Sequence, residues 1–120
     1  MGNYDKYLPY IDVTTGMQRI RNNAKLYTSL LNSFTKGNYD EAIKNDFNTM
    51  NLESLKVDVH TIKGAGANLS FDALAEACKN YEFIIKDNAV NQTNFDELIA
   101  VYDKTMELLE QLKAELTNPA

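Results

Sequence analysis

Apolar residues recur along most of the chain in alternating steps of three and four, the period of an α-helix with one buried face. Within Asn51–Leu69 the stripe is Leu52, Leu55, Val59, Ile62, Gly66 and Leu69. Such a stripe predicts a helix packed against others, as a and d positions pack in a bundle. Gly64 would also suit a helix end at Lys63. The stripe runs on to Gly66 and Leu69, which favours one continuous helix.

The same spacing organises the rest. Residues 1–9 carry polar residues and tyrosines and predict a loose arm. Ile11–Ile20 reads as a short amphipathic helix, with Val13, Met17 and Ile20 on one face, expected to cap one end of the bundle. Ala24, Tyr27, Leu31 and Phe34, widened by Leu30, form the next stripe. Asn22 or Asn23 is its expected N-cap and Gly37 its C′ residue, so a break or kink is expected near Gly37. Tyr39–Thr49 follows, with Tyr39, Ile43, Phe47 and Met50 inward and acidic residues in the first turn. Thr49 or Asn51 is expected to cap the helix after it.

Ser70 reads as the N-cap of a helix from Phe71 to Lys86, whose stripe is Phe71, Leu74, Cys78, Tyr81 and Ile85. Asn94 to Glu97 reads as a capping box. It opens a final helix to about Leu116, ended by Asn118-Pro119-Ala120. Thr105 is the polar intruder on its stripe and is expected to bond back to a carbonyl of its own helix. Short connections favour antiparallel neighbours. The expected fold is all-α: an up-down antiparallel four-helix bundle with an additional short N-terminal helix, in one domain over 1–120.

Composition narrows the function. A chain of 120 residues can bury a core without staples. The net charge of −5 argues against binding nucleic acid through its phosphates. No apolar run is long enough to span a membrane. The start MGNYDKYLPY lacks the basic and apolar parts of a signal peptide, and Lys6 spoils a myristoylation match. The lone Cys78 suits a reducing compartment and a buried, inert thiol. A cytoplasmic monomer is the expectation. The loop Asp87–Gln92 lacks the ligands of a calcium loop, and no nucleotide or metal motif appears.

His60, the only histidine, lies one step past Val59, about 100° around the helix from the stripe. It is therefore expected on an exposed flank of a well-anchored helix. Neutral imidazole is a nucleophile near pH 7, with an unperturbed pKa of about 6.5. Lys63, three residues on, reaches the same face and suits a phosphoryl oxygen as a point charge. Gly64 removes bulk where a partner must approach. A mid-helix glycine costs about 1 kcal/mol against alanine, so Gly64 and Gly66 need a compensating reason.

The run His60-Thr61-Ile62-Lys63-Gly64 resembles the H-x-[LI]-K-G signature of histidine phosphotransfer domains. The segment Ile11-Asp12 to Gly16-Met17-Gln18-Arg19 is similar to the I-D-x-x-x-G-[LM]-x-R start seen in many of them. The chain departs from the family at Gly66, often Ser or Ala there, and at Ser70, often Gly. The resemblance implies that His60 accepts a phosphoryl group through Nε2 from one receiver domain and passes it to another. It implies that Lys63 stabilises the phosphoryl charge. It also implies that Glu82, at the offset where the family carries Gln or Glu, orients His60 through Nδ1. Glu82 would raise the His60 pKa and Lys63 would lower it, and the sequence leaves that balance open.

Receiver domains of response regulators or hybrid kinases are the implied partners, docking over Val57, Lys63, Gly64 and Ala67. Lys56 stands beside them, although its simplest reading is a solvated lysine. No cofactor is expected on this chain, since the Mg²⁺ of the chemistry would sit on the receiver. A phosphoryl carrier without its own nucleotide site is thus expected rather than an enzyme. The alternative is an inactive helical adaptor that binds through the same patch. An adaptor has no need of the intact His60-Lys63-Gly64 set.

Overall fold

Each stretch of three-and-four spacing forms a helix in the computed structural model, which describes residues 4–117. After a 3-10 turn at Asp5–Tyr7 come α1 (Val13–Arg19), α2 (Ala24–Lys36), α3 (Tyr39–Asn48), α4 (Leu52–Asn68), α5 (Asp72–Lys86) and α6 (Gln92–Thr117). No strand occurs among the described residues. The α4 helix runs through Gly64 unbroken. The expected stop of the last helix at Asn118-Pro119-Ala120 lies outside the described residues.

Consecutive helices pack on one another, α3 on α4, α4 on α5 and α5 on α6, and α6 returns to both α2 and α3. At about 1.5 Å per residue, the 26 residues of α6 reach some 40 Å along a molecule 47 Å long. The shorter α2 and α3 face it together, as two segments broken at Gly37-Asn38. Ile43, Leu55, Val59, Ile62, Leu74, Leu109 and Leu112 fill the space between the helices at 0–1% exposure. Phe47 of α3 stacks on Phe95 of α6 with ring centres 4.2 Å apart. Thr105 is fully buried and donates to the Val101 carbonyl at 2.8 Å, which meets the hydroxyl's need inside its own helix. Cys78 is also fully buried, and burial pushes its thiol up to about 12.

Several expectations require correction. Of the expected loose arm, residues 1–3 lie outside the described residues, and residues 4–9 are exposed for the most part but anchored through Tyr7. Tyr7 is 1% exposed, and its hydroxyl donates to Glu115 Oε1 at 2.7 Å, tying the N-terminal turn to α6. Met50 points out at 60% exposure because it takes a left-handed conformation (φ 53°) after α3 has ended. Asp46 is the buried residue there. The left-handed residue after α2 is Asn38 (φ 49°) rather than Gly37, whose φ of −67° is helical. Gly37 is needed for space, since a Cβ on it would lie 2.6 Å from the Tyr39 ring. The capping box at the start of α6 lies one turn earlier than expected. Asn91 accepts from the Asn94 N–H at 2.9 Å, and Asn94 accepts from the Asn91 N–H at 3.0 Å.

Ser70 does not cap α5. It is the C′ residue of α4 in left-handed conformation (φ 61°), with Ser70 N–H bonded to Ala67 O and Phe71 N–H bonded to Gly66 O. This is the paired bonding of a Schellman motif. The Ser70 hydroxyl is buried with no hydrogen-bond partner. Left-handed backbone costs a non-glycine residue about 1–2 kcal/mol, and an unsatisfied buried hydroxyl adds to that. Ser70→Gly is therefore expected to stabilise the fold by about 1 kcal/mol, raising the thermal midpoint by about 4 °C. A lower midpoint would restore the N-cap reading, because removing a cap destabilises.

The Asp46 and Asp58 carboxyls face each other between α3 and α4. The hydrogen bond that Asp58 shares with Asp46, followed by burial and the neighbouring charge, raises the Asp58 carboxyl from 3.8 to about 6. A carboxyl raised in the folded state binds its proton more tightly there than when unfolded. The stability this contributes is full below the ordinary carboxylate pKa and is lost as pH rises through about 6. Asp58→Asn keeps a hydrogen bond without the charge. It is expected to melt higher than the parent at pH 8 and to flatten the decline between pH 5 and 7, as thermal melts across that range would read out.

Candidate functional site

The site is built on α4, whose two ends are tied down. At the start the Asn51 side chain accepts from the Ser54 N–H at 3.1 Å. At the end the N-terminal segment satisfies the last carbonyls. Arg19 donates to Ala67 O, the Tyr27 hydroxyl to Leu69 O at 3.0 Å, and the Asp12 N–H to Ser70 O at 2.9 Å. An arginine there also suits the negative end of the helix dipole. Between these anchors, Leu55, Val59 and Ile62 hold the helix face into the core.

His60 rides on the opposite flank with its side chain 70% exposed. The neighbouring helix supplies its partner. Glu82 lies one residue past buried Tyr81 on α5, which sets it at the edge of the α4–α5 seam. Its Oε2 lies 2.9 Å from His60 Nδ1, and its Oε1 pairs with the Lys63 ammonium. One carboxylate thus holds both neighbours. Burial pushes the Glu82 carboxyl upward, but the hydrogen bonds from Lys63 and His60 outweigh it and hold the group below its ordinary value. An ionised Glu82 can only accept, so in the neutral imidazole the proton sits on Nδ1 and Nε2 is the nitrogen with the lone pair. The result is a nucleophilic nitrogen on a fixed ring with an ammonium beside it.

The family model of the Hpt domain matches residues 35–118 of the 120. The chain belongs to the Hpt domain family. Hpt domains are phosphocarrier modules of two-component signalling, acting by histidine phosphotransfer and meeting receiver domains. The match begins in the last turn of α2, so it leaves out the Ile11–Arg19 segment. No curated protein and no solved structure gives a significant match to the chain. No helix among the described residues is long and apolar enough to cross a membrane.

In this Hpt domain the structure brings His60, Lys63 and Glu82 together. The other residues singled out from sequence spread along the same exposed flank. Lys56 and Val57 line a hollow with His60, and Val57 is 63% exposed. Gly64 and Ala67 line a second hollow with Lys63 and Arg19. A Cβ added at Gly64 would meet nothing within 4 Å, so nothing inside the chain requires a glycine there.

Two features of the site exceed the sequence expectations. Glu82 has two partners rather than one, and spacing alone does not show a residue from α5 meeting two residues on α4. Phe83 stands 56% exposed beside Glu82, and its signal in the sequence is an aromatic off the Phe71–Ile85 stripe.

Proposed function

We propose that this Hpt domain relays a phosphoryl group between the aspartates of two receiver domains, with His60 Nε2 as the carrier. The reading rests on one observation: Glu82 takes Nδ1–H at 2.9 Å and leaves Nε2 on the solvent side of an exposed ring. In the forward step Nε2 attacks the phosphorus of an aspartyl phosphate. The N–P bond forms, the P–O bond to the aspartate breaks, and the aspartate leaves as a carboxylate. No proton is lost, so the ring becomes cationic, and the Glu82 carboxylate offsets that charge. Lys63 exchanges its contact with Glu82 for a phosphoryl oxygen. The reverse step onto a second receiver uses the same groups.

Lys56, Val57, Gly64 and Ala67 form the docking patch around the ring, and the divalent cation of the chemistry belongs to the receiver. The turns between α3 and α6 are three to five residues long, which favours the up-down antiparallel order and keeps α4 and α5 side by side. The chain takes its phosphoryl group from a partner rather than from a nucleotide of its own, and it acts as a cytoplasmic monomer.

The test is to incubate the protein with a ³²P-labelled receiver domain and follow the label. Transfer to this chain in an acid-labile, base-stable linkage is the expected result. Label that is acid-stable, or that never leaves the receiver, would overturn the proposal.

A further inference from the structure

Four lysines gather in one groove of a chain whose net charge is −5. Lys56 and Lys63 come from α4, and Lys79 and Lys86 come from α5. Lys56, Lys79 and Lys86 make no ion pair among the described residues. Two acidic residues, Glu53 and Glu82, share the groove. Glu82 is already engaged by His60 and Lys63. The groove therefore carries surplus positive charge against the charge of the whole molecule. Phe83 stands among these lysines at 56% exposure, with Leu52 and Ile85 beside it.

The other surfaces around His60 lack this combination. The hollow toward Asn51 and Thr61 has Lys56 as its one lysine. The hollow at Gly64 and Ala67 shares Lys63 and Lys79 with the groove, but Asp72 and Glu76 oppose them, Arg19 is bonded to the Ala67 carbonyl, and no aromatic residue lines it. The α4–α5 groove is the side of the site equipped to attract an anionic surface and to anchor it with an aromatic ring. Clustered like charge speeds and orients encounter, while buried aromatics at the centre of a contact supply much of its affinity.

We infer that this groove is the orienting surface for the phosphorylated receiver domain. Lys79 and Lys86 meet carboxylates on the rim of its aspartate pocket, and Phe83 enters an apolar notch beside that rim. The inference rests on the phosphorelay reading above and adds which side of His60 selects the partner. Phe83, Lys79 and Lys86 act on docking and do not touch the reacting atoms.

The experiment compares two donors on the full chain. A phosphorylated receiver must dock before transfer. Phosphoramidate is a small donor from which Nε2 displaces ammonia, and it needs no docking. The variants are Phe83→Ala and the double Lys79→Glu, Lys86→Glu, all at exposed positions that the fold tolerates. Each is expected to lower receiver-to-His60 transfer about 10-fold, mainly by raising the half-saturating receiver concentration, with phosphoramidate labelling unchanged. Added salt should slow the parent protein and leave the double variant nearly unaffected, since screening acts only where charge steers.

Receiver transfer that is undiminished in the variants would overturn the inference. So would a parent dimer, seen by sedimentation, that the variants abolish, because the groove would then be a contact between copies of this chain. Failure of both donors to label the parent protein would overturn the relay reading itself.

Discussion

His60→Gln is expected to abolish the acid-labile label, lowering transfer from a phosphorylated receiver by more than about 10³-fold, the scale on which loss of a covalent nucleophile is felt. Glutamine preserves the helix, because its propensity is at least as good as that of histidine. The native side chain is 70% exposed and is held by a hydrogen bond to Glu82. Losing it should change stability by no more than about 0.5 kcal/mol. Lys63 stays paired to Glu82, so the electrostatic surroundings survive. The amide has no nucleophilic lone pair to replace Nε2. A thermal melt run beside the transfer assay separates lost chemistry from lost fold. A variant that melts as the parent does and still accepts label would remove His60 from the mechanism.

Gly64→Gln is expected to move stability and transfer in opposite directions. A mid-helix glycine costs about 1 kcal/mol against alanine, and glutamine recovers roughly half of that or more. The added Cβ meets nothing within 4 Å and the position is exposed, so the side chain can extend toward solvent. The isolated protein should become more stable by about 0.5 kcal/mol. The longer side chain projects one turn from His60, onto the face where the proposed relay brings a receiver to Nε2. A 1 Å displacement of reacting groups can cost about 10²-fold, so transfer from a receiver should fall by at least ~10-fold. Labelling by phosphoramidate should not change. If glycine were needed by the fold, the variant would melt lower, and the two signs would coincide. Gly66, two residues on, makes the contrast. It is buried, and a Cβ there would lie at ordinary contact distance, 3.6 Å, from Phe71, so its surroundings belong to the core.

The elements that could be read from the chain are those set by local periodicity. The α4 stripe, the exposed flank carrying His60, the break near Gly37 and the inward Thr105 follow from spacing and side-chain chemistry within a few turns, and so do the caps of α2 and α4 to within two candidates each, of which Asn23 and Asn51 serve. The misreadings occur where a backbone conformation or a distant partner decides. Ser70 has the chemistry of an N-cap, but the helix before it ends by a left-handed turn at that residue. Met50 continues the α3 stripe on paper, yet the chain has already turned away. The first residues look polar and loose, but Tyr7 finds Glu115 across 108 positions.

Sequence by itself determined an all-helical chain, an anchored α4 and a lone imidazole on its open side, because those properties depend on residues three and four apart. Only the tertiary structure decided that Glu82 grips both His60 and Lys63, that the N-terminal segment closes the end of α4, and that lysines from two helices share a groove with Phe83. Each of these joins residues on different helices. Their meeting depends on the register and rotation of packed helices, and those are settled by how side chains interlock across the core.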